Sequence, residues 1–375
     1  MGVEQWPAGG LGRGACRWSV SCGLAVALLL GTLACGAGGP AGPGAAAASG
    51  SARGAQPVAL PADCTVRVVE PAALQLALRE AKPGARVCVT GDLGEARLDV
   101  SQSGAPGRPI EVLGDGRTMV GGITINADHV AVRGFTSVGG AAPGIWLKGT
   151  DVTVENNTVR HPSGDDFDGI RFFGTDLRIV HNTITDIKPT GSNGPSCIQT
   201  NNPLPDPSTP GVVLTPENST PDTCDAHADC LQTFATGPDG AMPDTGPSRG
   251  VRIEGNNCQR IDGHCLIAQG PHSRAGTGSG VGESSDITFV DNYCDAHASQ
   301  AVLVDDVRNV VIRGNQIDST DFESSAGVFK AFAFANNSTN GAVEGNQLSP
   351  SVGYEVAMDN SSRAGYRGPS PVGIP

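Results

Sequence analysis

The sequence has 375 residues and a formal net charge of −13, so it lacks the basic surface that nucleic-acid partners require. It contains 53 glycines and 27 prolines but only 4% aromatic residues, a composition that predicts many tight turns and little long helix. The apolar content of 38% is enough for the core of one large domain.

The first 34 residues predict an export signal. Their apolar run "GLAVALLLGTLA", residues 23–34, is too short for a confident membrane span. Cys35 follows "TLA", and this junction resembles the signal of bacterial lipoproteins, whose cysteine is lipidated after cleavage. Ordinary cleavage between residues 34 and 50 is the alternative. Either way we expect an extracellular or cell-surface monomer that contacts a membrane through a lipid only, with residues 35–60 as a flexible tether.

The folded domain is predicted over residues 61–360 and starts with a helix. The stretch "EPAALQLALREAKPG", residues 70–84, has an early proline, apolar residues at helical spacing and a glycine at its end. Because exposed strand edges invite aggregation, we expect this helix to cover the open end of the β-structure that follows.

Cysteine usage predicts disulfide bonds. Of the 11 cysteines, three lie at or before Cys35, which leaves eight in the exported part, an even number without C-x-x-C zinc spacing. Cys64 and Cys88 flank strands predicted at 65–69 and 86–90, so we expect them to pair.

Six short segments of the central chain repeat one pattern, in which strand-type residues are followed by a small or polar residue and then asparagine. The aligned residues are Asn157, Asn182, Asn256, Asn292, Asn315 and Asn346. Their gaps of 25, 74, 36, 23 and 31 residues are typical of a solenoid with local insertions. Asparagine tolerates the left-handed turn conformation and can bond to its copy on the next coil, so we expect one stack of asparagines at a corner.

This ladder resembles the right-handed parallel β-helix family, the secreted pectate-lyase-like proteins, over roughly residues 63–360. The resemblance implies an all-β fold, a single right-handed parallel β-helix (solenoid) with an N-terminal capping helix. It says little about the reaction. The polar, Pro/Gly-rich tail at 361–375 is predicted to be disordered.

A second column of apolar residues predicts a further strand in each coil. We align Ile145, Ile170, Leu231, Leu266, Val302 and Val328 as inward-facing positions. Ionisable residues precede three of these positions: Asp166 and Asp168, His227 and Asp229, Asp262 and His264. Because adjacent coils lie about 4.8 Å apart, the six would stack in a patch roughly 10 Å tall.

Such a stack suits acid–base catalysis, because close carboxylates raise one another's pKa and histidine titrates near neutrality. Two alternatives stay open. Aspartate is common at turns, where it caps local backbone groups. In addition, "SCIQT" (196–200) competes with "DCLQT" (229–233) for the third coil. We favour "DCLQT" because residues 201–226 look like an insertion throughout.

Three further disulfides follow from this alignment. Cys197–Cys224 would close the insertion. Cys230–Cys265 and Cys258–Cys294 would join stacked positions one coil apart, within disulfide reach.

Outward positions beside the patch are the predicted substrate-binding residues. They are Trp146, Lys148, Arg171, Gln232 and Gln269. An aromatic face with amide and guanidinium groups suits a sugar ring, although Trp146 packing under a loop is an equal alternative. Lys330, of a residue type that many relatives use as the base in β-elimination, is placed outside the site because it nominally faces inward three coils away.

The segment "GDDFD", residues 164–168, is similar to the aspartate clusters that hold calcium in some pectate lyases. Asp165, Asp166 and Asp168 are therefore the candidate ligands if Ca²⁺ is used. The D-D-x-D spacing matches no full lyase signature, which leaves both metal and substrate open.

These observations together predict an exported carbohydrate-active protein that cleaves glycosidic bonds of a polysaccharide, as a lyase or hydrolase. The alternatives are a non-catalytic, surface-anchored solenoid that binds glycan or cell-wall material, and a structural solenoid whose polar column consists of solvated turns.

Overall fold

The computed structural model describes residues 59–139, 143–162, 168–187, 228–235, 246–271, 283–297, 300–319 and 330–373. The predicted signal, Cys35 and most of the tether lie outside these ranges, as do Cys197 and Cys224, so those predictions stay predictions. No helix within the described ranges combines the length and apolarity needed to cross a bilayer.

The described chain contains one α-helix, one short 3₁₀-helix (Ser361–Arg363) and twenty-five strands. The helix is α1 (Pro71–Glu80). The strands are β1 (Val66–Val68), β2 (Arg86–Val89), β3 (Leu98–Val100), β4 (Ile110–Val120), β5 (Ile123–Asn126), β6 (Val130–Val138), β7 (Ile145–Glu155), β8 (Thr158–Arg160), β9 (Ile170–Val180), β10 (Thr183–Ile187), β11 (Leu231–Phe234), β12 (Arg249–Glu254), β13 (Asn257–Ile261), β14 (Leu266–Gln269), β15 (Ser284–Val290), β16 (Tyr293–Ala296), β17 (Gln300–Asp305), β18 (Val307–Arg308), β19 (Val311–Arg313), β20 (Gln316–Asp318), β21 (Lys330–Ala335), β22 (Ala342–Glu344), β23 (Gln347–Leu348), β24 (Tyr354–Met358) and β25 (Val372–Gly373).

The strands stack in three parallel ladders, which define a parallel β-helix as predicted. Ladder A contains β3, β5, the first parts of β7 and β9, then β11, β14, β17, β21, β24 and β25. Ladder B contains β1, β2, the first parts of β4 and β6, the second parts of β7 and β9, then β12, β15, β19 and β22. Ladder C contains the second parts of β4 and β6, then β8, β10, β13, β16, β20 and β23. Strand β18 pairs with the start of β15, beside ladder B.

The predicted N-terminal helix and its flanking strands are confirmed. Helix α1 has proline in its first turn and buries Leu74 and Leu78 on one face. The predicted strands at 65–69 and 86–90 appear as β1 and β2, and the Cys64–Cys88 disulfide is present. The apolar face of α1 is continuous with the solenoid core, so the helix supplies the first covering layer of that core.

The asparagine ladder is also confirmed. It lies at the corner between ladders B and C, and each side-chain Nδ2 donates to the Oδ1 of the asparagine one coil further on. The five donor–acceptor distances, from Asn157–Asn182 to Asn315–Asn346, are 3.2, 3.0, 3.0, 3.0 and 3.0 Å. Because Nδ2 also bonds to a backbone carbonyl of the preceding coil, each buried amide connects three coils.

The predicted inward column of ladder A is right for five coils and wrong for the sixth. Ile145, Ile170, Leu231, Leu266 and Val302 are register partners in succession. The partner of Val302 on the next coil is Phe332, four residues after the predicted Val328. With Phe332 instead of Val328 at the inward position, both Phe332 and Phe334 are completely buried, and this burial of apolar surface accounts for the shift.

Two of the predicted disulfides are wrong. Cys230 bonds to Cys258 and Cys265 bonds to Cys294, in place of Cys230–Cys265 and Cys258–Cys294. The predicted partners do stack in register, but their Cβ atoms then point the same way, about one 4.8 Å strand spacing apart. A disulfide needs a Cβ–Cβ distance of about 3.8 Å. Cys230 and Cys258 instead face each other across the coil interior, with their Cα atoms 6.0 Å apart.

The prediction of a disordered tail is wrong for residues 361–373. Asp359 accepts hydrogen bonds from the Ser361 hydroxyl at 2.9 Å and the Ser362 amide at 2.8 Å. The Tyr366 ring packs on Phe334 at 6.0 Å, and β25 then pairs with β24. The polar residues of this tail form hydrogen bonds with the last coil, so the polar composition of the tail does not lead to disorder.

Candidate functional site

One polar column lies where the chain leaves ladder C and begins ladder A. Its members stand two positions before the inward residues of five successive coils: Asp168, Asp229, His264, Gln300 and Lys330. All five are buried. The Asp229 amide donates to Asp168 Oδ1 at 3.0 Å, and the His264 amide donates to Asp229 Oδ1 at 2.6 Å. The predicted stacking of Asp229 between Asp168 and His264 is therefore confirmed, and with it the choice of "DCLQT".

Asp229 and His264 form a buried hydrogen-bonded pair. The distance from His264 Nδ1 to Asp229 Oδ1 is 2.9 Å, and the two side chains are 4% and 1% exposed. Because an ionised carboxylate only accepts, Nδ1 carries the proton in this arrangement. His264 Nε2 is buried and has no hydrogen-bond partner among the described residues. The carboxylate thus orients the ring and leaves Nε2 as the ring nitrogen that is able to accept a proton.

A second buried pair repeats this geometry one coil further on. Asp262 Oδ1 lies 3.3 Å from His297 Nδ1, and the sequence separation of 35 residues equals that of Asp229 and His264. The sequence alignment placed Asp262 in the patch but missed His297. The signal was present, because "DAHA" occurs at 225–228 and again at 295–298.

Arg171 neutralises Asp168. Its Nε and Nη2 atoms lie 2.9 and 2.5 Å from Asp168 Oδ2, and both side chains are buried. The guanidinium also lies over the Phe234 ring, 5.4 Å from its centroid. A carboxylate held by a buried guanidinium is a poor calcium ligand, so Asp168 does not fit the predicted metal site. Its predicted co-ligands Asp165 and Asp166 lie outside the described residues, as does His227.

The five predicted substrate-binding residues share the outer face of ladder A. Trp146 pairs with Arg171, which pairs with Gln232, while Lys148 and Gln269 stand one alternation further along their strands. The row that contains Lys148 and Gln269 also contains Phe173 and Phe234, two residues that the sequence reasoning missed. Phe173 contacts Trp146 with ring centroids 5.0 Å apart and Phe234 at 5.1 Å. The result is an aromatic strip that crosses three coils beside the polar column.

Lys330 belongs to the column, contrary to the prediction that placed it outside the site. The register with Phe332 opposite Val302 makes Lys330 the direct partner of Gln300. The four-residue phase error in the sixth coil is the reason for the wrong placement. A buried lysine therefore follows Gln300 in the row that begins with Asp168, and Tyr354 is its register partner on the next coil.

A partly exposed ion pair between Asp186 of β10 and Arg260 of β13 gives a prediction for the pH dependence of stability. Arg260 donates to both oxygens of Asp186 at 2.5 and 2.7 Å, and these hydrogen bonds lower the pKa of Asp186 to about 2. Since this folded-state pKa lies below the unfolded value of about 3.9, the pair stabilises the fold above pH 4. The stabilisation is lost as pH falls from about 4 to 2. We expect Arg260→Gln to cost about 1–2 kcal/mol at neutral pH, discounted for solvent screening, and almost nothing at pH 2.

Urea unfolding of both proteins from pH 2 to 7 measures this difference. Arg313→Gln is the matched control, because its guanidinium lies 3.9 Å from Glu344 and both groups are exposed. An Arg260→Gln effect of equal size at pH 2 and pH 7 would contradict the assignment.

The three ladders define the class of this protein as a parallel β-helix. It carries two buried Asp–His pairs where the chain begins ladder A. No protein-family model matches the sequence, and no curated protein matches it. Solved structures similar to this chain include an alginate lyase from Paenibacillus sp. str. FPU-7, with 14% identity and a TM-score of 0.37 over 80% of this chain and 98% of the other. A PL6 family polysaccharide lyase from Pseudopedobacter saltans has 11% identity and a TM-score of 0.38 over 75% and 63%. A GH87 alpha-1,3-glucanase from Streptomyces thermodiastaticus has 12% identity and a TM-score of 0.37 over 84% and 68%. At these TM-scores the likeness carries no argument about activity.

Proposed function

We propose that this protein is an exported carbohydrate-active enzyme that cleaves glycosidic bonds of a polysaccharide. The observation that carries the proposal is the Asp229–His264 pair, which holds an imidazole with its Nδ1 bound and its Nε2 without a partner among the described residues. At the two ends of the adjacent aromatic strip, Trp146 and Phe234 are only half-buried and support a sugar substrate, because pyranose rings stack on aromatic faces, while Phe173 between them is buried and holds the strip together. Three disulfides fit an oxidising compartment. Lipidation at Cys35 and a monomeric state stay predictions.

Hydrolysis is the chemistry that the charges favour. His264 Nε2 would take a proton from water while the water oxygen bonds to the anomeric carbon. The protonated member of the Asp262–His297 pair would give a proton to the departing glycosidic oxygen as the carbon–oxygen bond breaks. Elimination would need a cation to neutralise a uronic carboxylate, and because Arg171 is already bound to Asp168, Lys148 is the one cation left among the predicted substrate-binding residues. The net charge of −13 also disfavours a polyanionic substrate.

A screen of the purified exported chain on neutral glucans, xylans and uronic-acid polymers tests this function. New reducing ends without ultraviolet absorbance indicate hydrolysis, and absorbance from a C4–C5 double bond indicates elimination. His264→Asn is the key variant, since its amide keeps a donor near Nδ1 for Asp229 but removes Nε2. We expect it to lose activity by about 10²–10⁴-fold. Full activity in this variant would reject His264 as the catalytic residue.

The burial of the column favours a second candidate function. The side chains of Asp229 and His264 are almost inaccessible, with 1% and 4% exposure. A non-catalytic, surface-held solenoid would bind glycan along the aromatic strip and leave the column as internal structure. That candidate predicts glycan binding without product release, and it predicts that His264→Asn binds as well as the unmodified protein does.

A further inference from the structure

The position before each inward residue of ladder A faces the middle of ladder C across the coil interior. In two coils this position is glycine, with a branched residue opposite. A Cβ placed on Gly144 would lie 2.3 Å from Val159 Cγ1, and one on Gly169 would lie 2.3 Å from Ile184 Cγ2. Apolar packing of glycine against a branched side chain is therefore sufficient to close a coil of this solenoid.

The next two coils replace that packing with covalent bonds. Register partners in ladders A and C place Cys230 and Cys258 where Gly169 and Ile184 stand one coil earlier. Cys265 and Cys294 occupy the same positions one coil later. The disulfides thus appear at the two coils that carry Asp229 and His264, each of which directly precedes a bonded cysteine.

The corner that contains Asp262 and His264 is anchored at both ends. It runs from Cys258, bonded to Cys230, to Cys265, bonded to Cys294. The Cys230 amide donates to the His264 carbonyl at 2.8 Å, so the backbone of the first disulfide also bonds to the second coil. Apolar packing is not directional, whereas a disulfide fixes the distance between two backbones.

We infer that the Cys230–Cys258 and Cys265–Cys294 disulfides are positioning elements for the Asp229–His264 pair, beyond any contribution they make to stability. This inference deepens the proposed function, on which its catalytic part rests. A shift of about 1 Å between reacting groups costs up to about 10²-fold in rate. A covalent clamp on each side of the pair limits such shifts more tightly than a glycine–isoleucine contact does.

The decisive variant is C230G/C258I, which copies the Gly169–Ile184 pair of the preceding coil. Its readout is the ¹⁵N spectrum of the His264 ring, assigned with His264→Asn. In the unmodified protein we expect a fixed tautomer with the proton on Nδ1, and in the variant we expect averaging between tautomers. Where a substrate is known, kcat should fall about 10-fold while KM stays within about twofold. Cys64→Ala/Cys88→Ala is the control, since it removes the disulfide beside the N-terminal helix and should change neither readout.

A folded C230G/C258I protein with an unchanged His264 tautomer and unchanged kcat overturns the inference. C265G/C294I offers a second test should the first variant fail to fold, and failure of both assigns the disulfides to stability and likewise overturns a positioning role. The ring spectrum needs no substrate. A protein that cleaves no polysaccharide yet shows the expected tautomer change would therefore reject the proposed function and retain the positioning role.

Discussion

Asp229→Asn should strongly reduce the proposed polysaccharide cleavage while leaving the solenoid folded. The asparagine keeps an oxygen for the His264 amide, which now donates to Asp229 Oδ1 at 2.6 Å, but it loses the negative charge that stabilises a protonated imidazole. We expect activity to fall about 10²–10⁴-fold, the range for loss of general acid–base assistance. The free energy of unfolding should fall by only about 1–2 kcal/mol, the worth of a weakened charge-assisted hydrogen bond.

Asp229→Ala separates the catalytic role from the structural one. It leaves both the His264 amide and Nδ1 without their acceptor in the interior, so we expect a loss of about 3–5 kcal/mol in urea unfolding. Asp286→Asn is the control, because this exposed aspartate bonds to Ser285 and Asn309 away from the column. Equal activity in Asp229→Asn and the unmodified protein would leave Asp229 with a purely structural role.

Asn256→Ala should cause a large loss of stability, because this side chain makes four buried hydrogen bonds in the middle of the ladder. Its Oδ1 accepts from the Asn182 amide at 2.9 Å and from Asn182 Nδ2 at 3.0 Å. Its Nδ2 donates to the Ile179 carbonyl at 2.8 Å and to Asn292 at 3.0 Å. Two buried donors would lose their acceptor at about 1–3 kcal/mol each, so we expect about 3–5 kcal/mol in all.

The matched control is Asn346→Ala at the far end of the ladder. Asn346 accepts from the Asn315 amide and from Asn315 Nδ2 at 3.0 Å each and donates to the Ile312 carbonyl at 3.3 Å, but it is half-buried, so water can replace part of what the side chain provides. We expect about 1–2 kcal/mol there. Hydrogen exchange of the Asn182 amide should accelerate in Asn256→Ala and stay unchanged in Asn346→Ala. Similar losses for the two variants would show that the ladder does not act as a connected stack.

The fold was predictable because asparagine at a solenoid corner has one physical use that leaves a clear spacing. The ladder alone identified every B-to-C corner from Asn157 to Asn346. The polar column was predictable wherever the strand that follows it has only one possible alternation of inward apolar residues. This is why Asp168, Asp229 and His264 align as expected. The prediction failed at Lys330, because in "GVFKAFAF" either Val328 or Phe332 could take the inward position. Only the packing of Phe332 and Phe334 selects between these two alignments.

The disulfide pairing could not be read from the sequence for a different reason. Register showed which cysteines stack, but stacking fixes their spacing and says nothing about which side chains point toward each other. His297 was missed because the pairing of β13 with β16 shifts by one residue, so that Ile261 lies opposite Ala296 and His297 stacks on Asp262. Such a local irregularity of the backbone is not revealed by a column of strand residues.

The column from Asp168 to Lys330 takes one residue from each turn of the chain, and this has an evolutionary consequence. Tandem duplication of a single turn would extend the row by one rung of about 4.8 Å without changing the spacing between the other rungs. The length of the row and its chemistry can therefore change by recombination between turns, while the asparagine corner preserves their stacking. Natural variants that differ by whole turns are the place to look for such modular change.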